Sequence, residues 1–230
     1  MRSRNYLVLI AAAFLLASTD IKAEKENREV SNFTKIGYSL PGDMEIVQGS
    51  EVSLILDGDK EDLEKIITKV EGNKLKIYTR NNTSGLGDVK VFITVVKLEG
   101  ISVAGSGDVK VKTKLETEEL DLDLSGSGSI QCEDLVANVL EVNIAGSGDV
   151  FLGGIAEKEL EVNIAGSGDV RAENLKTKEA EVNIAGSGSA KVWVIDELET
   201  NIVGSGDVYY KGNPVVNAET IGSGSTKSLD

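Results

Sequence analysis

From residue 101 onward, apolar and polar residues alternate with period two, and the alternation restarts around a recurring Gly-Ser-Gly. The first glycines are Gly105, Gly126, Gly146, Gly166, Gly186, Gly204 and Gly222, at spacings of 21, 20, 20, 20, 18 and 18 residues. Two residues before the glycine stand Val103, Leu124, Ile144, Ile164, Ile184 and Ile202; four before it stand Ile101, Leu122, Val142, Val162, Val182 and Thr200. Beyond the corner, four residues on, come Val109, Ile130, Val150, Val170, Ala190 and Val208. Side chains of a β-strand alternate between its two faces, so these columns point inward on both sides of the corner. Each repeat therefore predicts two strands. A third apolar contact is expected near Leu135, Ile155, Leu175 and Ile195.

The intervening columns are polar: Asp121, Glu141, Glu161, Glu181 and Glu199 five residues before the glycine, and Asp123, Asn143, Asn163, Asn183 and Asn201 three before it. A coil this thin cannot bury its own inner face, so successive coils must stack and bury it jointly. The expected fold is all-β, a parallel β-solenoid of coils about 20 residues long with Gly-Ser-Gly corners. The drift in coil length from 21 to 18 favours a right-handed β-helix over left-handed coils, which keep strict multiples of six. The corner glycines supply a sharp bend and close approach of backbones. A phosphate-binding glycine loop would need a helix N-terminus behind it, and here a strand follows instead.

Upstream the register is lost while β signals persist, at Phe33–Tyr38, Met44–Val47, Val52–Leu56, Lys74–Tyr78 and Val89–Val96. Leu63, Ile66, Ile67 and Val70 at helical spacing, followed by Gly72-Asn73, predict one short helix within residues 61–70. Residues 1–23 combine Arg2 and Arg4, an apolar run to Ala17 and a small-residue end at Ala23, the pattern of a signal peptide. The apolar run is shorter than the roughly 20 residues of a membrane span. The expected organisation is thus a signal peptide at 1–23, a flexible lead-in at 24–31, an irregular β-rich segment with one helix at 32–100, and the solenoid at 101–230.

The repeated strand-GSGDV-strand coils, preceded by NFTKIGYSLPGDMEIVQGSEVSLILDGDKEDLEKIITKVEGNKLKIYT, resemble the putative auto-transporter adhesin, head GIN domain family. That resemblance implies a β-solenoid body in a bacterial envelope or secreted setting, and an adhesin-like role. It carries over no catalytic or ligand residues. The residues after Ser225 are only TKSLD, so no C-terminal membrane barrel is expected.

Charge narrows the partners. With 24 Lys plus Arg against 38 Asp plus Glu, the net charge is −14, which opposes nucleic acid and anionic lipid surfaces. No His is present, so His-based triads and zinc sites are not expected. A carbohydrate-active enzyme on a β-helix remains the catalytic alternative, with Asp108, Asp149, Asp169 and Asp207 as its carboxylates. Those acids belong to the repeated corner, whereas a unique active site should interrupt a repeat. The column Asp108, Ser129, Asp149, Asp169, Ser189, Asp207 and Ser225 offers too few oxygens per coil for more than weak calcium binding. Cys132 falls in a core column and is expected to be inert. No catalytic residue, metal site or cofactor is assigned. The directional surface feature is the outward column five residues after the glycine, in which Phe151, Arg171, Lys191 and Tyr209 mix rings with cations. That stripe suits a surface glycan or an acidic envelope protein. The expected function is an exported, non-catalytic, adhesin-like binding or scaffold module, placed in the periplasm, on the outer surface or in the medium.

Overall fold

The computed structural model describes residues 24–80 and 85–229, so the expected signal peptide lies outside the described residues. The N-terminal part supplies β1 (Glu24–Asn27), β2 (Lys35–Ser39), β3 (Asp43–Gln48), β4 (Ser53–Gly58), the single-turn helix α1 (Lys60–Leu63), β5 (Ile66–Glu71), β6 (Lys74–Thr79) and β7 (Lys90–Val95). The repeats supply β8 (Gly100–Gly105), β9 (Asp108–Val111), β10 (Leu115–Glu116), β11 (Glu119–Gly126), β12 (Ser129–Gly146), β13 (Asp149–Gly166), β14 (Asp169–Gly186), β15 (Ser189–Gly204), β16 (Asp207–Lys211), β17 (Val215–Gly222) and β18 (Ser225–Ser228). All of them hydrogen-bond into one continuous sheet.

From β8 to β18 every pairing between coils is parallel and runs glycine to glycine, for example Gly126 beside Gly146 and Gly146 beside Gly166. The chain is therefore a β-solenoid of the kind its repeats predict. The inward columns are buried from β8 to β15, with Val142, Val162, Val182, Val150 and Val170 wholly enclosed. Thr200 is the polar exception in those columns, and its hydroxyl is satisfied by Thr226 Oγ1 at 2.8 Å.

Both corner glycines are dictated by stacking. The first lies at φ near +130° in coil after coil, a region costly for any residue with a Cβ. The second points inward: a Cβ on Gly168 would sit 2.3 Å from the carbonyl oxygen of Gly148. The Ser between them donates its amide to the glycine one coil back, as Ser167 does to Gly146 O at 2.8 Å.

Four expectations need correction. The N-terminal segment does not lose the register. β2 pairs parallel with β8, and β3 with β9, setting Asp43 opposite Asp108, so Leu40-Pro41-Gly42 forms a corner that keeps only the second glycine. The coil made of β6 and β7 lies on the other side of β2 and β3, so this first coil in sequence is the second in the stack. The helix is confined to Lys60–Leu63, and Ile66–Glu71, expected to continue it, is strand β5. Ile66, Ile67 and Val70 answer to antiparallel pairing with β6 rather than to helical periodicity. The lead-in at 24–31 is ordered in part: β1 pairs antiparallel with β4, and Arg28 donates to Leu63 O at 3.0 Å at the end of α1. Finally, Leu135 and Leu175 are buried, but Ile155 is 45 % exposed and Ile195 36 % exposed. Bulges on this third face shift the register, so that Leu135 aligns with Gly154 and Leu175, and Thr177 with Val194. Ala156 and Val194 take the buried places.

Candidate functional site

Two outward faces flank the glycine corner. On the strand before it, the Asn column forms a ladder. Asn163 Nδ2 donates to Asn143 Oδ1 at 3.1 Å, Asn183 to Asn163 and Asn201 to Asn183 each at 3.0 Å. The second amide hydrogen goes to the Glu two residues earlier, at 2.8 Å from Asn143, Asn163 and Asn183 to Glu141, Glu161 and Glu181. Both donors of each internal amide are thus consumed by structure, and the ladder orients the acidic column beside it. At its N-terminal end two Lys reach over glycines: Lys35 Nζ spans Gly100 to Asp121 Oδ2 at 2.7 Å, and Lys74 Nζ passes Gly37 to reach Ser102 Oγ at 3.0 Å. A shallow trough of about 660 Å³ follows the ladder, lined by Asn143, Asn163, Asn183, Ala145, Ala165 and Ala185 among others.

On the strand after the corner, the structure brings Phe151, Arg171, Lys191 and Tyr209 onto adjacent strands, each directly opposite the next, and Lys227 continues the row. Rings and cations within the row are stacked: the Arg171 guanidinium lies 5.0 Å from the Phe151 ring centroid, and Lys227 Nζ 5.9 Å from that of Tyr209. The corner acids lie beside the row. Arg171 is 3.7 Å from Asp169, and the Tyr209 hydroxyl donates to Asp207 at 3.3 Å. At Lys191 the corner residue is Ser189, so the middle of the row carries a cation without a carboxylate from its own coil.

Beside the row lies a group that the column pattern did not single out. Trp193, the chain's single Trp, has Lys211 Nζ 4.3 Å and Lys176 Nζ 5.8 Å from its ring. It sits two residues beyond Lys191 and opposite Lys211, extending the ring-and-cation surface around the edge of the face. A lone Trp among Val, Ile and Leu columns was the available signal.

The carboxylates of the catalytic alternative are occupied by the corner. Asp108 accepts from Ser129 Oγ at 2.6 Å, Asp149 from the amide of Asp169 at 3.3 Å, and Asp169 from the amide and hydroxyl of Ser189 at 3.0 and 2.8 Å. Asp207 accepts from Ser225 Oγ at 2.5 Å, and that bond, with help from Lys227, holds its carboxyl below the usual carboxylate range. The direction is opposite to that needed by a general acid at neutral pH. Cys132 is buried, and burial pushes its thiol up to about 12.

No helix among the described residues is long and apolar enough to cross a membrane. No curated protein matches the chain. Among solved structures it is similar to a putative adhesin from Bacteroides fragilis, with 28% identity, a TM-score of 0.84, and coverage of 90% of this chain and 97% of that one. It is also similar to a putative lipid binding protein from Parabacteroides distasonis, with 25% identity, a TM-score of 0.77, and coverage of 92% and 98%. A putative adhesin from the same species shares the fold at 24% identity, a TM-score of 0.75, and coverage of 91% and 98%. A family model matches residues 32–214, and with a solenoid, corner and N-terminal coil of this kind the chain belongs to the putative auto-transporter adhesin, head GIN domain family.

Proposed function

We propose that this chain is a non-catalytic, adhesin-like binding module of the bacterial cell envelope, and that the row Phe151, Arg171, Lys191 and Tyr209 takes an anionic glycan or an acidic envelope protein. One observation carries the reading: two adjacent cations, Arg171 and Lys191, are flanked by the rings of Phe151 and Tyr209 on successive strands of one outward face, with Trp193 and Lys211 extending them. Strands about 4.8 Å apart give the four positions a reach of roughly 14 Å, the length of a few sugar units. Rings offer stacking faces for sugars, and Arg and Lys pair with carboxylate or sulfate. Each contact is modest, so affinity for a polymer comes from repetition. Membership of an adhesin family and the hydrogen-bonded state of the corner acids support a binding role over a hydrolase or lyase.

The test is adherence to immobilised sulfated and uronate-containing glycans. A variant with Phe151→Ser, Tyr209→Ser, Arg171→Glu and Lys191→Glu should lose binding while remaining folded; a control altered at Glu141 and Glu161 should keep it. Retention by the stripe variant alongside loss by the control would place the ligand on the opposite face. Release of new reducing ends from the polymer would favour the enzyme reading.

A second reading has one observation behind it. The trough along the Asn ladder is floored by Ala145, Ala165 and Ala185, and one of the two Parabacteroides distasonis neighbours is a putative lipid binding protein. An acyl chain in that trough would make binding sensitive to Ala165→Glu and indifferent to the stripe variant.

A further inference from the structure

The two ends of the solenoid are finished differently, and the difference is written in charge as well as in topology. β17 pairs on one side with β15 and has no partner strand on its other side among the described residues. Its eight residues are all exposed, and Val215 and Ile221 are 74 % and 73 % exposed. An edge strand of this kind is a template for further pairing, and native proteins normally blunt it with charge. Here the charge is thinned instead. The acidic column Glu141, Glu161, Glu181 and Glu199 ends in Asn217, and Glu197 is followed in its column by Val215. Two carboxylates are lost at the edge and one is gained, where Glu219 follows Asn201, which leaves Glu219 as the one ionisable residue of the strand.

We infer that this edge is a homodimer interface, in which two copies of the chain pair their β17 strands antiparallel about a two-fold axis at Ala218. The sequence VVNAETIG is self-complementary in that register. Val215 meets the copy's Ile221, Asn217 meets Glu219, Val216 meets Thr220 and Ala218 meets itself. Every pair joins residues of like direction, because 215, 217, 219 and 221 continue outward columns and 216, 218 and 220 continue inward ones. The outward pairs are chemically matched. Val215 and Ile221 bury two exposed apolar side chains at each end of the strand, and Asn217 with Glu219 repeats the amide–carboxylate pairing that every internal coil already uses. The assembly closes at two copies. At the other end β4 and β5 run antiparallel to the strands they cover, which leaves no matching parallel edge for head-to-tail growth among the described residues.

Sedimentation of the purified protein across a wide concentration series tests this directly. Wild type should approach twice the monomer mass as concentration rises. Val215→Lys with Ile221→Lys places like charges opposite one another in this register and should leave a monomer. Val215→Lys with Ile221→Glu places opposite charges there and should restore the dimer. Both side chains are exposed in the monomer, so both variants should keep the wild-type circular dichroism spectrum. Hydrogen exchange of residues 215–222 should slow with increasing concentration in wild type and in the Lys/Glu variant, but not in the Lys/Lys variant. A wild type that stays monomeric, a Lys/Glu variant as monomeric as the Lys/Lys one, or growth beyond two copies would each overturn the proposal.

Discussion

The covered first coils and the exposed last coil of the described solenoid solve one problem in opposite ways. A stack of coils must stop somewhere, and its last coil has nothing to cover its inner face. At the N-terminal end the chain keeps large apolar residues in the core columns (Leu75, Ile77, Val91 and Ile93) and covers them with β4, α1 and β5, so that Leu54, Leu56, Leu63 and Ile66 are also buried. At the C-terminal end the same columns are stepped down: Leu198 gives way to Val216, Thr200 to Ala218, Ile202 to Thr220 and Val208 to Thr226. One end devotes the segment Ser53–Glu71 to a lid, and the other lowers the cost of exposure by changing residue type. A position in a core column is therefore a core position only where something lies above it.

That comparison is most easily broken with one substitution made twice in the same column. Ile164→Asp buries an unpaired charge between two coils and should cost about 4 kcal/mol or more, unfolding the centre of the stack. Thr220→Asp occupies the equivalent column at the open end and, being exposed, should change stability by about 0.5 kcal/mol or less. Urea denaturation at low protein concentration measures both, and equal costs would mean that the last coil is covered after all. Next in size is Leu54→Ala. It removes a buried side chain from the lid and should cost about 2–5 kcal/mol, with hydrogen exchange rising first in β1, β4 and β7, while β13 and β14 stay protected.

The repeats were legible because their physics is local and periodic. A glycine that must clear the backbone of the coil before it and side chains that alternate between core and water leave a column-by-column record. The Asn ladder was legible for the same reason, but its partners were not. In the folded stack each internal amide also holds the preceding Glu, which makes Asn163→Asp costlier than its half-exposed position suggests. An aspartate there would set acceptor against acceptor at both Asn143 Oδ1 and Glu161 Oε1, and should cost about 1–3 kcal/mol in thermal unfolding. The third face was misread at Ile155 and Ile195 because bulges absorb length differences there, so counting from the glycine fails. The lid was misread because Ile66, Ile67 and Val70 satisfy helical spacing and strand pairing alike, and an antiparallel partner decided between them. The corner at Pro41-Gly42-Asp43 could have been found from its Gly-Asp step. What hid it was the order of stacking, since a coil that comes first in sequence is inserted second.

The smallest expected effect concerns how the lid is held. Asp62, 8 % exposed, accepts from Lys65 Nζ at 2.6 Å and from the amide of Gly87 at 2.8 Å, tying α1 to the segment that enters β7. Those bonds, with the Lys65 bond foremost, hold its carboxyl below the ordinary value of 3.8. A carboxyl whose folded value is depressed contributes stability that is complete above 3.8 and is lost as pH falls through the lower folded value. Wild type should therefore lose stability through that acid window, and Asp62→Asn should lose less of it there. At neutral pH the Asn variant keeps an acceptor for Gly87 but forfeits the charge-assisted bond to Lys65, a cost of about 1 kcal/mol. Thermal unfolding of the two proteins from neutral pH down to about pH 3 measures the difference, which should narrow as Asp62 protonates. Because this bond belongs to the lid alone, exchange in β17 and β18 should not respond to the substitution at any pH. A matching response there would mean that the two ends are coupled through the stack and do not terminate it independently.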